Sequence, residues 1–277
     1  MKKRIFVFTG MLCLACSFLL SCNNDDNDTP TRAVTTSKQH KDIASANKEI
    51  NSIVENVFGT ESSVRSKINS KLKSPECATI TSEIIDDIKT VIIDFGDRCE
   101  LSNGEVISGS IRMTFSLQLD TESKIEIKST LDKIVYKDIT VNGNATTIFS
   151  FQNDTGNTKF TTKSDFSFVW KDTLTATSKT NFITESFSGH TNPDTPASLV
   201  FYTLVTGNSI AEFSNGDKYT VEITTPLRNE NSCEYIVSGV ITTKENSATT
   251  TLNYGDGECD NIATQTDADG NETTIEL

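Results

Sequence analysis

The chain has 277 residues and a formal net charge of −13, from 38 acidic against 25 basic side chains. A chain this acidic repels nucleic acid and anionic headgroups, which excludes binding of DNA, RNA or phospholipid through charge. Its only histidines are His40 and His190, which leaves little material for a zinc site or a catalytic triad.

The chain opens with basic Lys2 to Arg4, followed by an apolar run that Thr9, Gly10 and Ser17 interrupt and that stops at Leu20. This is short of the ~20 apolar residues of a spanning helix and reads as a signal peptide over residues 1–21. The tetrapeptide "LLSC", Leu19 to Cys22, resembles a bacterial lipobox, in which the cysteine is acylated and becomes the mature N-terminus. The expected membrane contact is therefore lipid on Cys22, which anchors the chain without spanning the bilayer. Cleavage there removes Lys2, Lys3 and Arg4 and no acid, so 22 basic residues face 38 acidic ones and the charge becomes −16. The "NNDDND" that follows, Asn23 to Asp28, resembles the signal that carries lipoproteins of the Bacteroidota to the outer face of the outer membrane. A lipid-anchored, surface-exposed outer-membrane location is expected from it.

Residues 22–37 read as an acidic flexible tether. Over 38–73 the spacing of Ile43, Ile50, Val54, Val57, Phe58, Val64, Ile68 and Leu72 is roughly helical, with a break at "FGTE". The pattern predicts two modest amphipathic helices or a partly disordered stalk.

Cys13 and Cys16 leave with the signal and Cys22 carries lipid, so Cys77, Cys99, Cys233 and Cys259 remain. An even set in an exported chain reads as disulfides. The stretches "CATITSEIIDDIKTVIIDFGDRC" and "CEYIVSGVITTKENSATTTLNYGDGEC" share one plan: a cysteine, an alternating run, a polar turn, a second strand, then aromatic-Gly-Asp and a closing cysteine. Each reads as a β-hairpin with a cysteine at either open end, where facing Cα atoms lie about 5.5 Å apart, as a disulfide requires. Pairing of Cys77 with Cys99 and of Cys233 with Cys259 follows. Gly96 and Gly255 are expected at positive φ where the strand ends, with Asp97 and Asp256 bonding the turn amides. The competing reading makes Asp94, Asp97, Asp256 and Asp260 weak calcium candidates, although their spacing matches no known loop. No cofactor is expected.

Beyond Cys99 the apolar period is two. In "IRMTFSLQL", Ile111, Met113, Phe115, Leu117 and Leu119 alternate with polar residues, and "FSFVW" sets Phe166, Phe168 and Trp170 on one face. The phrases "VNGN", "NDTGN", "TGNS" and "SNGD" read as turns. Residues 74–277 are predicted to form one all-β domain, an antiparallel meander building a curved sheet, half-barrel or barrel. The likeness of the two clipped hairpins suggests that they pair as neighbours and close the sheet.

The ordered series "CATIT", "KTVIIDFGDRC", "GEVISGSI", "YKDITVNGN", "CEYIVSGVI" and "TLNYGDGECDN" resembles a family of secreted β-rich lipoproteins of the Bacteroidota, over nearly all of Cys77 to Leu277. Members often carry a basic DGR phrase before "SG"; here it is "NGEVISG", so no role for that arginine transfers. The resemblance implies an all-β exported domain and supplies no reaction.

No catalytic residues are expected, and the chain is read as a non-enzymatic binding or structural module with a glycan or protein partner. Trp170 is placed in the core by its parity with Phe166 and Phe168, while Tyr202 and Tyr235 are alternative aromatic platforms for a sugar. Two other functions compete. One is carriage of an apolar ligand inside a barrel lined by the odd-numbered residues of "IRMTFSLQL". The other is glycan hydrolysis by two carboxylates facing each other across a cleft.

Overall fold

The computed structural model describes residues 30–62, 74–151, 157–191 and 199–277; the expected signal peptide and Cys22 lie outside them, as do residues 63–73. Among the described residues, one helix, α1 (Pro30–Glu61), precedes fourteen strands. These are β1 (Thr79–Ile85), β2 (Ile88–Asp94), the two-residue β3 (Cys99–Glu100), β4 (Val106–Ser116), β5 (Lys124–Tyr136), β6 (Ile139–Phe151) and β7 (Thr158–Val169). They continue with β8 (Thr175–Thr191), β9 (Leu199–Phe213), β10 (Lys218–Glu230), β11 (Ile236–Glu245), β12 (Ala248–Asp256), β13 (Ile262–Thr266) and β14 (Glu272–Glu276). All belong to one sheet in which each strand lies antiparallel beside the next, except that β2 pairs directly with β4 and β3 sits off the path against β4.

The predicted alternation is realised in β5, β7 and the second half of β4. Along β5, Ile125, Ile127, Ser129 and Leu131 are buried while Glu126, Lys128 and Thr130 are exposed. Two-residue connections such as Asp86–Asp87 and Lys137–Asp138 have both central residues at positive φ, 49° and 63° in the first and 50° and 68° in the second. That geometry matches the twist of the flanking strands.

Two phrases expected as turns lie inside strands: "VNGN" in β6 and "TGNS" in β9. Their glycines, Gly143 and Gly207, have φ of 136° and 133° and stand opposite Phe166 and Phe182 in register. A Cβ on Gly143 would lie 2.2 Å from the Asp165 carbonyl oxygen, and one on Gly207 would lie 2.1 Å from that of Asn181. Glycine lets neighbouring backbones approach at these points, and the facing phenylalanine covers the gap, so the sheet bends into a trough. "SNGD" does form the β9–β10 turn, whereas most of "NDTGN" falls outside the described residues.

The sheet does not close, and the clipped hairpins are not neighbours. β1–β2 forms one edge, while β11–β12 lies near the other with β13 and β14 beyond it. Their likeness reflects a shared local design and carries no information about pairing, because each ladder is satisfied by the adjacent strand in sequence at low loop-closure cost. The apolar inner face is covered instead by α1.

The helix places Ile43, Ala46, Ile50, Ile53, Val54, Val57 and Phe58 against the sheet, all buried. Phe58 meets Phe115, Phe149 and Phe160 at centroid distances of 5.0, 5.2 and 6.2 Å. At its C-terminus, Lys89 Nζ donates to the Glu61 carbonyl at 2.8 Å and to its carboxylate at 2.7 Å, a cation placed at the negative end of the helix dipole. The sequence boundaries are corrected accordingly. The helix begins at Pro30, inside the stretch read as tether, and ends at Glu61, the last residue of "FGTE"; the second helix expected beyond it falls on residues 63–73, outside those described. Helix α1 belongs to the core of the β domain, not to a stalk.

Candidate functional site

The two clips form as expected. Cys77 bonds Cys99 and Cys233 bonds Cys259, with Cα separations of 5.3 and 5.7 Å. The repeated phrases before the closing cysteines act through their first residues. Asp94 Oδ1 accepts from the Gly96 amide at 2.8 Å, and Asn253 Oδ1 accepts from the Gly255 amide at 2.9 Å. Gly96 and Gly255 take positive φ, 59° and 85°, as anticipated. The turn-bonding role expected of Asp97 and Asp256 thus falls to the residue two before each glycine, where an Asx side chain reaches its own backbone two residues on. Phe95 is buried and Tyr254 half-buried, so each phrase also pins the strand end to the domain.

The calcium alternative finds no support in this arrangement. Asp94 is used as a turn cap, and Asp260 Oδ1 accepts from the Ile262 amide at 3.0 Å. Among the described residues, no three His, Cys, Asp or Glu side chains converge as a metal site would require.

A polar seam runs beneath α1. Asn47 donates to Ser178 Oγ and accepts from Ser164 Oγ, each at 3.2 Å, and Ser164 lies 2.6 Å from Thr180. About two helical turns further on, Thr162 donates to Glu55 Oε1 at 3.4 Å while contacting Thr147 at 3.0 Å. Burial pushes the Glu55 carboxyl up to about 7, against the opposing effect of the Thr162 hydrogen bond.

The N-terminal half of α1 passes beside a rim built from the β7–β8 and β9–β10 turns. His40 stacks on Tyr219 with centroids 4.4 Å apart, and burial lowers its pKa to about 4. Tyr219 Oη donates to Glu245 Oε1 at 2.6 Å and lies 3.2 Å from Thr36 Oγ1. Burial, with that bond to Glu245, holds the phenol well above the usual tyrosine range. Trp170 stacks between Phe168 and Phe213, with centroids 6.1 and 5.9 Å away. Beside it lies a cavity of about 400 Å³ lined by Thr36, Gln39, Asp172, Thr173, Leu174, Ser214 and Asn215. Its walls come from α1 and both turns.

Trp170 is half-buried on the inner face, as its parity predicts. Tyr202 is not an open platform: Phe187 of β8 stacks on it at 4.7 Å, and the Arg228 guanidinium of β10 lies 4.4 Å from its ring centre. Tyr235 is half-buried. His190 falls within β8, and its side chain lies outside the described residues. Sequence reasoning missed Gln39, Asn47 and Glu55. The available signal for Gln39 and Asn47 was their position on the stripe of Ile43, Ile50 and Val54, at helical spacing; Glu55 lies on its flank.

Among the described residues, no helix is long and apolar enough to cross a membrane. In comparisons with known proteins, no family model, no curated protein and no solved structure matches this chain.

Proposed function

We propose that the protein is a non-enzymatic, glycan-binding module, held at the outer membrane by acyl chains on Cys22 and displayed at the cell surface. The observation that carries this reading is the packing of α1 into the trough. Its buried aliphatic and aromatic face supplies the apolar filling that a hollow carrier would reserve for its ligand. Recognition is thereby directed to the rims, where polar side chains line an open cavity. The charge of −16 on residues 22–277 favours neutral ligands over anionic ones. Glu55, the buried carboxyl with a raised pKa, is held by Thr162, so it serves the helix–sheet contact in this account.

A glycan array probed with the mature chain, residues 22–277 with Cys22→Ser, tests the reading; saturable binding to a restricted set of neutral glycans is expected. Uniform absence of binding contradicts it. The anchor is tested separately by metabolic labelling with a palmitate analogue, which should mark the wild-type precursor and not the Cys22→Ala variant.

A further inference from the structure

We infer that the rim cavity between α1 and the β7–β8 turn is a subsite for a single neutral sugar ring, with Gln39 as its buried hydrogen-bonding anchor. The inference rests on the glycan-binding reading and assigns it a place.

Gln39 is only 6% exposed, lines the cavity, and has its Oε1 buried without a hydrogen-bond partner. Buried polar atoms are nearly always paired, so this acceptor in the cavity wall calls for a donor from a bound molecule, and a sugar hydroxyl supplies one. The Trp170 indole is tied to the cavity wall through its backbone: its amide donates to the Leu174 carbonyl, and its carbonyl accepts from the Thr173 amide, both at 3.0 Å.

The rest of the lining suits the same ligand. Asp172 uses one oxygen to accept from the Leu174 amide at 3.3 Å and is otherwise exposed. A carboxylate here repels anions and accepts from hydroxyls. Ser214 and Thr173 add hydroxyls, and Leu174 adds an apolar surface. The opposite wall is fixed by the chain Thr36, Tyr219 and Glu245 together with the stacked His40, so the opening is pre-formed. Its volume of about 400 Å³ is in the range of small-molecule sites.

Trp170 is the only tryptophan of the chain, so its fluorescence reports on this rim alone. Residues 22–277 are titrated with the methyl glycosides of glucose, galactose, mannose and N-acetylglucosamine and with the oligosaccharides positive on the array. Wild type should show a saturable change in emission. Gln39→Leu and the surface variant Asp172→Ala should each weaken binding roughly tenfold or more, as expected when a bonded hydroxyl loses its partner. Both variants should keep the wild-type near-ultraviolet circular dichroism. Array-positive ligands that bind both variants as they bind wild type, or that leave Trp170 emission unchanged at saturation, would overturn the placement while leaving the glycan-binding reading intact. A crystal grown with such a ligand and showing only an ordered water at Gln39 Oε1 would overturn it as well. If no glycan binds on the array, both the reading and its subsite fall together.

Discussion

Asn47 and Ser164, 117 residues apart in sequence, are joined by a 3.2 Å hydrogen bond from the serine hydroxyl to the asparagine amide oxygen. Asn47 Nδ2 continues to Ser178 Oγ at 3.2 Å. All three residues are buried, so helix and sheet are held by a directional polar contact in the midst of an apolar one. Apolar surfaces tolerate sliding; paired hydrogen bonds specify one helix position.

Asn47→Ala should therefore destabilise the domain by about 1–3 kcal/mol, because Ser164 and Ser178 lose a partner while staying under the helix. Adding Ser178→Ala should recover part of that loss, since Ser178 Oγ is then not left unpaired under the helix, while Ser164 keeps its contact with Thr180. Urea midpoints of the single and double variants measure both effects.

Glu55 and His40 give opposite pH dependences. Burial holds Glu55 at about 7 against an ordinary value of 4.5, so between those pH values the folded chain keeps a proton that the unfolded chain has lost. Stability contributed by this group is full below pH 4.5 and falls as pH rises to 7. Burial lowers His40 from 6.5 to about 4, so over that interval the unfolded chain binds a proton that the folded chain refuses, and stability rises with pH. From pH 4.5 to 6.5 the two slopes cancel. Glu55→Gln should leave the rising slope alone, and its advantage over wild type should grow by up to about 3 kcal/mol between pH 4.5 and 7. Chemical denaturation of both proteins across this range provides the comparison.

The trough depends on glycines at close approach. Gly143→Ala and Gly207→Ala place a Cβ within 2.2 and 2.1 Å of a neighbouring carbonyl oxygen, at φ values that L-residues avoid. Each should cost more than about 3 kcal/mol, or prevent folding, since steric overlap adds to backbone strain. Gly216→Ala, at a turn with φ of 93° and open space around it, should cost only about 1 kcal/mol. Thermal unfolding of the soluble variants separates the two classes.

Much of this architecture is legible in the sequence because its signals are local. Alternation in "IRMTFSLQL" marks β4, and the cysteine-bounded hairpins fix their own disulfides by end-to-end geometry. The role of α1 is hidden for a physical reason. Its apolar stripe is interrupted by Asn47 and flanked by Glu55, which look like exposed positions until their partners are known. Those partners, Thr162, Ser164 and Ser178, occupy the buried face of β7 and β8. A polar helix position and a polar sheet position that satisfy each other both lower the apparent amphipathicity of their elements. Gly143 and Gly207 mislead in a similar way, since Asn-Gly and Gly-Asn pairs mark turns more often than bends inside a strand.

The clips should stabilise the two hairpins independently. Replacing Cys77 and Cys99 together by serine should cost about 3 kcal/mol, and the Cys233 and Cys259 pair about the same, from loops with sequence separations of 22 and 26. The combined variant should lose the sum, because the hairpins lie in different parts of the sheet. Denaturant titration of the three variants checks the additivity.

Native-state hydrogen exchange along α1 tests most directly whether the helix is the core of the domain. The amides of residues 43–58 should exchange only through global opening, with the same free energy as those of β5 to β7. Exchange of the whole of 43–58 by orders of magnitude faster than those strands, as from a free stalk, would contradict it.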